Sequence, residues 1–279
     1  MTCVNTARAR RLASGIALLT IAVSAPVEGA RATDLFDDFT TLRGSVSGGR
    51  VRWDGFQLGG HIGYVNSKTD FGHATRETVE SVVNVTTLAN EAPPSEWQVL
   101  GKGSQTGRSF GGSIGYTWEL DSVVVGIDAT YNYTDGITTR GRGSLGPGRI
   151  VTTSDGNTWT VDIRGRSSLT MHDYATLRAR VGYPMGQFLP YAFLGGAVGR
   201  FDYRTRTIGS VTSGATIAFD RTEAKEGAFS PGLTTGLGVD IAILPNMYLR
   251  AEYEFNAFLE LAGILPITHT GKVGLGFRF

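Results

Sequence analysis

Beyond Thr33 the sequence has no cysteine and no continuous apolar run long enough to cross a membrane as a helix. Each absence removes whole classes of function. The single cysteine, Cys3, sits in the N-terminal stretch. A disulfide framework, a thiolate metal site and a thiol nucleophile are therefore excluded for the rest of the chain. A helical span needs ~20 apolar residues in a row, so a helical membrane domain is excluded too. Neither sign of charge dominates, with 26 basic and 25 acidic residues, which gives no footprint for nucleic acid. Histidines are few: His61, His73, His172 and His269. None is paired at metal-ligand spacing, and none adjoins an acidic cluster suited to zinc. The expectation is a non-enzymatic protein with no catalytic residue, metal or cofactor.

The N-terminus reads as a Sec-type signal peptide. Arg8, Arg10 and Arg11 precede the apolar stretch "LASGIALLTIAV", and Pro26 and an Ala30-Arg31-Ala32 site follow. Cleavage is expected before Thr33, which divides the chain into a signal peptide (1–32), an N-terminal periplasmic segment (33–52) and the remainder (53–279). The alternative, an anchoring helix, is short of the ~20 apolar residues that spanning requires. Cleavage would remove four of the 26 basic and one of the 25 acidic residues, leaving 22 and 24.

What the chain has in abundance is glycine, 39 of 279 residues, about twice the usual share of roughly 7%. It falls within short stretches that alternate with period two, the pattern of strands with two unlike faces. In "GFQLGGHIGYV", Phe56, Leu58, Ile62 and Tyr64 share one face, and Gln57, Gly59, His61 and Gly63 the other. "SFGGSIGYTW", "VVVGIDATYNY", "YATLRARVGY", "GLTTGLGVDIAI" and "MYLRAEYEF" repeat the pattern, as does the closing "GKVGLGFRF". "LPYAFLGGAVG" is strand-like without two distinct faces. Eight strands result. Tight links ("ELDS", "PMGQ", "LPN") alternate with long ones (66–108, 134–173, 200–230 and 256–270). That layout predicts an all-β, eight-stranded antiparallel up-and-down transmembrane barrel with short periplasmic turns and long extracellular loops. A secreted β-sandwich is the alternative. Glycine-rich polar faces and aromatic residues near strand ends favour the barrel.

Eight strands enclose a space that side chains just fill, whereas a water channel takes about 16 to 18. The inward positions then carry Asp128, Arg178, Arg180, Asp240 and Arg250, followed by Glu252, Glu254, Lys272 and Arg278. Lone buried charges are costly, so these must pair. The expected partners are Asp128 with Arg178, Asp240 with Arg250, and Glu254 with Lys272. The closing strand must pair with the first, because an open edge in lipid leaves backbone groups unsatisfied.

Several other motifs stand out. "GRGSLG" (141–146) fits a dinucleotide fingerprint but lacks the buried strand before it and the helix after it, so it reads as a flexible loop. His172 beside Asp173, and His269, stand where a lipid-modifying enzyme could place a catalytic histidine. No nucleophile–base pair can be argued for either. Arg140, Arg142, Arg149, Arg164 and Arg166 fall in the second long link, and Arg200, Arg204 and Arg206 open the third. Solvated loop charge is one reading. The other is contact with lipopolysaccharide phosphates, which arginine suits.

"WDGFQLGGHIGYV", "ATLRARVGYPMGQFLPYAFLGGAVG", "LPNMYLRAEYEF" and the final strand resemble, in type and order, the small eight-stranded "porin family" outer-membrane proteins of alphaproteobacteria. That group includes the 25–31 kDa Brucella outer-membrane proteins and rhizobial relatives. Gln57 departs from the pattern, standing where that family usually has an aromatic residue. The resemblance implies residence in the cell outer membrane. It also implies a C-terminal signal (Lys272, Gly274, Phe277, Phe279) read by the barrel-assembly machinery. The expected partners are outer-membrane lipids, lipopolysaccharide and that machinery. The expected role is structural and surface-displaying, with a small porin-like diffusion channel as the alternative and a lipid-modifying enzyme as a distant one.

Overall fold

The computed structural model describes residues 51–84, 97–145 and 148–279. The expected signal peptide and residues 33–50 of the expected N-terminal segment lie outside the described residues. The strands are β1 (Gly55–Asp70), β2 (Lys102–Leu120), β3 (Val123–Ser144), β4 (Arg149–Thr152), β5 (Thr158–Gly182), β6 (Phe188–Ser213), β7 (Ala215–Leu244), β8 (Met247–Phe258) and β9 (Leu265–Arg278). Among the described residues one helix, α1 (Arg76–Val83), lies between β1 and β2.

Eight strands close a ring in the order β1-β2-β3-β5-β6-β7-β8-β9, with β9 back on β1 and every pairing antiparallel. The short β4 stands outside the ring and pairs with residues 158–161 of β5. The two-residue alternation sets which side chains face in. Leu233 is 68% exposed and its neighbour Thr234 is 0% exposed. The apolar face therefore points outward, the reverse of a soluble sandwich. Leu58, Tyr64, Leu177, Tyr183, Leu237 and Leu275 share that outer face. Glycine fits the inner face where strands approach closely. A Cβ at Gly111 would collide with the Tyr131 carbonyl, and one at Gly195 with the Leu177 carbonyl.

The two ends of the ring differ. At the short-turn end, β2 meets β3 through Asp121 (φ 49°), and β5 meets β6 through a turn holding Gly186 (φ 64°). At the other end the strands run far beyond the expected boundaries. The expected links 134–173 and 200–230 are largely strand: β3 and β5 pair up to Ser144 and Arg164, and β6 and β7 turn back through Gly214 (φ 75°). Gly141–Ser144 of "GRGSLG" lies in β3, paired with β5, so the expected loop is strand there. Pairing of β2 with β3 stops at Ser109 and Thr134, and pairing of β7 with β8 stops at Gly232 and Phe258. Above those levels β3, β5, β6 and β7 continue as a separate tall sheet.

The expected loop 66–108 is not a free loop either. Val79, Val82 and Val83 recur at helical spacing on α1, and Glu77 sits favourably in its first turn. These valines pack with Trp97 and Val99 onto Val161, Ile163 and Val211 of β5 and β6. The α1 segment is thus folded against the tall sheet.

Candidate functional site

The middle of the barrel is filled by ionised side chains. On β5, Arg178 is directly opposite Asp128 of β3 and is fully enclosed. Its Nη2 donates to Asp128 Oδ2 at 2.6 Å. Its Nη1 reaches Glu252 Oε2 and Glu254 Oε2 of β8, each at 3.1 Å. Lys272 of β9 donates from Nζ to Glu254 Oε2 at 2.8 Å. The residue directly opposite Lys272 is Glu252, so the Lys272–Glu254 pair is made on the diagonal. One level nearer the short-turn end, Arg250 grips Asp240 through two bonds of 2.7 Å. Arg180 adds a bond to Asp240 Oδ2 at 3.2 Å.

These eight side chains balance, four cations against four carboxylates. Neutrality matters here, because an unpaired charge at this depth would cost several kcal/mol. Arg278, the ninth expected member, sits nearer the rim. It donates to the Pro245 carbonyl at 3.0 Å and lies over the Trp53 ring at 4.9 Å.

Neutral residues complete the network. Gln57 Oε1 accepts from Arg180 at 2.5 Å and from Arg250 and Tyr248 at 3.2 Å. Its Nε2 donates to Thr117 at 3.0 Å. Gln57 thus offers one oxygen to three donors, tying β1 to β5 and β8. The Tyr191 hydroxyl donates to Glu252 at 2.6 Å, and the Phe193 ring lies 4.2 Å from the Arg178 guanidinium centre. Cation–π contact of this kind stabilises a desolvated guanidinium. Tyr191 and Phe193 belong to "LPYAFLGGAVG", where their inward direction could not be read from periodicity.

Apolar layers cover both ends of the charged layer. Trp53, Val124, Leu189 and Ala242 group at the short-turn end. Phe71, Tyr174, Phe201, Phe258 and Ile264 group at the other, where Phe201 and Phe258 meet edge to face at 5.1 Å. Phe71 comes from the chain between β1 and α1, so that segment helps to close the mouth.

The seam between β9 and β1 closes fully. The Phe279 N–H donates to the Phe56 carbonyl at 2.9 Å, and the Phe56 N–H to the Phe279 carbonyl at 3.2 Å. The two rings lie 6.5 Å apart on the outer face. Of the expected assembly-signal residues, Phe277 and Phe279 face outward while Lys272 is committed to the interior.

The histidines resolve into local pairs. His172 Nε2 lies 2.7 Å from Asp202 Oδ2, and His269 Nδ1 lies 2.7 Å from the Tyr253 hydroxyl. The Gly227 N–H, and then His172, hold the Asp202 carboxyl below the usual carboxylate range. Among the described residues no three His, Cys, Asp or Glu side chains gather as a metal site.

The eight expected lipopolysaccharide-contacting arginines separate into two groups. Arg164 pairs with Asp162, Arg200 with Asp173 and Arg206 with Asp220, while Arg149 lies over Trp97. Arg140, Arg142, Arg166 and Arg204 are exposed on β3, β5 and β6.

Several solved structures are similar to this chain. Neisserial surface protein A is 16% identical, with 80% of this chain and 97% of that one covered, at a TM-score of 0.32. Ail, the attachment invasion locus protein of Yersinia pestis, is 14% identical, with coverage of 81% and 99% and a TM-score of 0.31. OprG from Pseudomonas aeruginosa is 13% identical, with coverage of 81% and 96% and a TM-score of 0.35. No curated protein sequence matches. A family's sequence pattern does match, over residues 17–279, and by that match the chain belongs to the outer membrane protein beta-barrel domain family.

Proposed function

We propose that this outer-membrane barrel is a structural and surface-displaying element of the envelope, neither a diffusion channel nor an enzyme. The observation that carries the reading is the filled interior. Four cations and four carboxylates cross-brace β3, β5, β7, β8 and β9, and apolar layers cover them at both ends. A braced ring of this kind resists deformation, and the paired side chains occupy the space a channel would need. What projects outward is ordered: the tall sheet of β3, β5, β6 and β7 with α1 folded against it. The short turns would face the periplasm and the tall sheet the exterior.

The resemblance to the Brucella and rhizobial small barrels supports the same role. So does the sequence pattern of a Sec-type signal peptide. The C-terminal strand would be the segment that the barrel-assembly machinery reads.

Deleting the gene tests the reading. Deletion should make cells more permeable to a hydrophobic dye and more sensitive to detergent. Re-expression of the wild-type chain should restore both. Slower uptake of small hydrophilic solutes in the deletion strain, with the dye barrier intact, would contradict it and favour a diffusion channel.

A further inference from the structure

The tall sheet carries a basic face that the structural role does not use. Arg142 on β3 is directly opposite Arg166 on β5, and Arg166 is directly opposite Arg206 on β6. One row nearer the membrane, Arg140 and Arg204 flank Ser168. Side chains directly opposite one another stand about 5 Å apart at Cβ, where like charges destabilise a sheet. Only Arg206 of the three-arginine row has an acidic partner, Asp220, at 2.6 Å. Arg142 and Arg166 have none among the described residues. The row borders a cleft of about 460 Å³, lined by Arg142, Arg164, Arg166, Arg206, Gly143 and Ile208. A solvated charged face would gain nothing from aligning like charges across three strands. A multivalent anion seated on the row would turn that repulsion into charge-assisted hydrogen bonds.

Height narrows the ligand. Tyr133 of β3, an exposed aromatic opposite Asp173 of β5 where the β2–β3 pairing ends, serves as the marker of the membrane rim, since aromatics girdle such barrels at the interface. Arg166 comes seven residues before Asp173 on β5, on the side away from the short turns. At about 3.3 Å per residue and a strand tilt near 40°, the row stands roughly 15–20 Å above the rim. Lipid headgroups occupy only about 5–8 Å beyond the hydrocarbon on each side. The row is therefore too high for a headgroup phosphate and lies in the saccharide layer. We infer that Arg142, Arg166 and Arg206 bind the phosphate or carboxylate groups carried on lipopolysaccharide core sugars.

The full chain refolded in phosphatidylcholine vesicles provides the test. Apparent affinity is read from the rise of the urea midpoint as purified lipopolysaccharide bearing its core is added. R142Q/R166Q should weaken that affinity by about tenfold or more, as expected for the loss of charged hydrogen bonds. K68Q/R108Q removes the same charge from β1 and β2 and should change it by less than about twofold, because Lys68 is separated from β3 by β2 and Arg108 adjoins Ser109, which is opposite Thr134 well below the row. Lipid A without core should stabilise wild type and R142Q/R166Q equally. In vesicles without lipopolysaccharide, R142Q/R166Q should unfold at the same or a higher urea concentration than wild type, because like-charge repulsion is relieved. Equal losses in the two double variants, an equal effect of R142Q/R166Q on lipid A, or a lower midpoint for it without any lipopolysaccharide would each overturn the assignment. Dephosphorylated core-bearing lipopolysaccharide then separates the sources: lost binding assigns the contact to phosphate, and retained binding to sugar carboxylates.

Discussion

Replacing Arg178 with alanine is expected to cost about 3–5 kcal/mol of stability, the range for breaking a buried ion pair by removing one partner. Arg178 is the hub of the interior, bonded to Asp128, Glu252 and Glu254. Its loss leaves four carboxylates facing three cations, with Asp128 stripped of its ion-pair partner. Urea unfolding in lipid vesicles measures the effect. A loss of only about 0.2–1 kcal/mol, the range of an exposed pair, would contradict a desolvated network. The cycle through Asp128→Ala and D128A/R178A separates coupling from packing. If the pair is coupled, the double variant loses less than the sum of the singles, because it leaves no uncompensated charge on that side. Strict additivity would mean that the two groups do not sense one another.

Removing residues 278–279 should have an equally large effect, on assembly rather than on the stability of the assembled state. The deletion takes away both backbone bonds between Phe56 and Phe279. It also removes the Arg278 bond to the Pro245 carbonyl and its contact with Trp53. Unsatisfied backbone groups facing lipid cost several kcal/mol each. The heat-modifiable folded band on a gel should fall below about a tenth of wild type, a loss the seam bonds alone can account for. Phe279→Leu keeps the backbone pairing and isolates the ring. Normal folding in vesicles with poor insertion in cells would assign the aromatic to recognition by the assembly machinery. Failure of Phe279→Leu in both settings would assign it to the seam itself. Normal assembly of the deletion would contradict a requirement for closure at this point.

The transmembrane part of this fold was legible because lipid turns a sheet inside out in a regular way. Outward Leu177, Val181 and Tyr183 alternate with inward Thr176, Arg178 and Arg180, so period two alone assigns both faces. Asp128 with Arg178 and Asp240 with Arg250 could be paired by counting from the short turns, since register in adjacent strands is fixed there. The same counting could not reveal that Arg178 reaches across to β8, because a long guanidinium side chain spans more than one strand spacing. Tyr191 and Phe193 were hidden for a different reason. They face inward as partners of charged groups, so they break the apolar-outward rule in a stretch that is apolar throughout. Above the membrane the pattern lost its physical basis. Both faces of the tall sheet meet water or the α1 segment, so Arg204 and Arg206 alternate with threonines instead of apolar residues. Such segments look like loops in sequence although they are paired strands. The Arg142, Arg166 and Arg206 row likewise could not be seen without the register that aligns them.

The central claim is that the interior is occluded, and single-channel recording on the refolded wild-type chain tests it most directly. Protein inserted into a planar phosphatidylcholine bilayer at high salt should give no reproducible conductance steps. The interior is filled by paired charges, and eight strands leave room for side chains only. Stable, uniform steps of the size a general porin gives would contradict the closed barrel and, with it, the structural role.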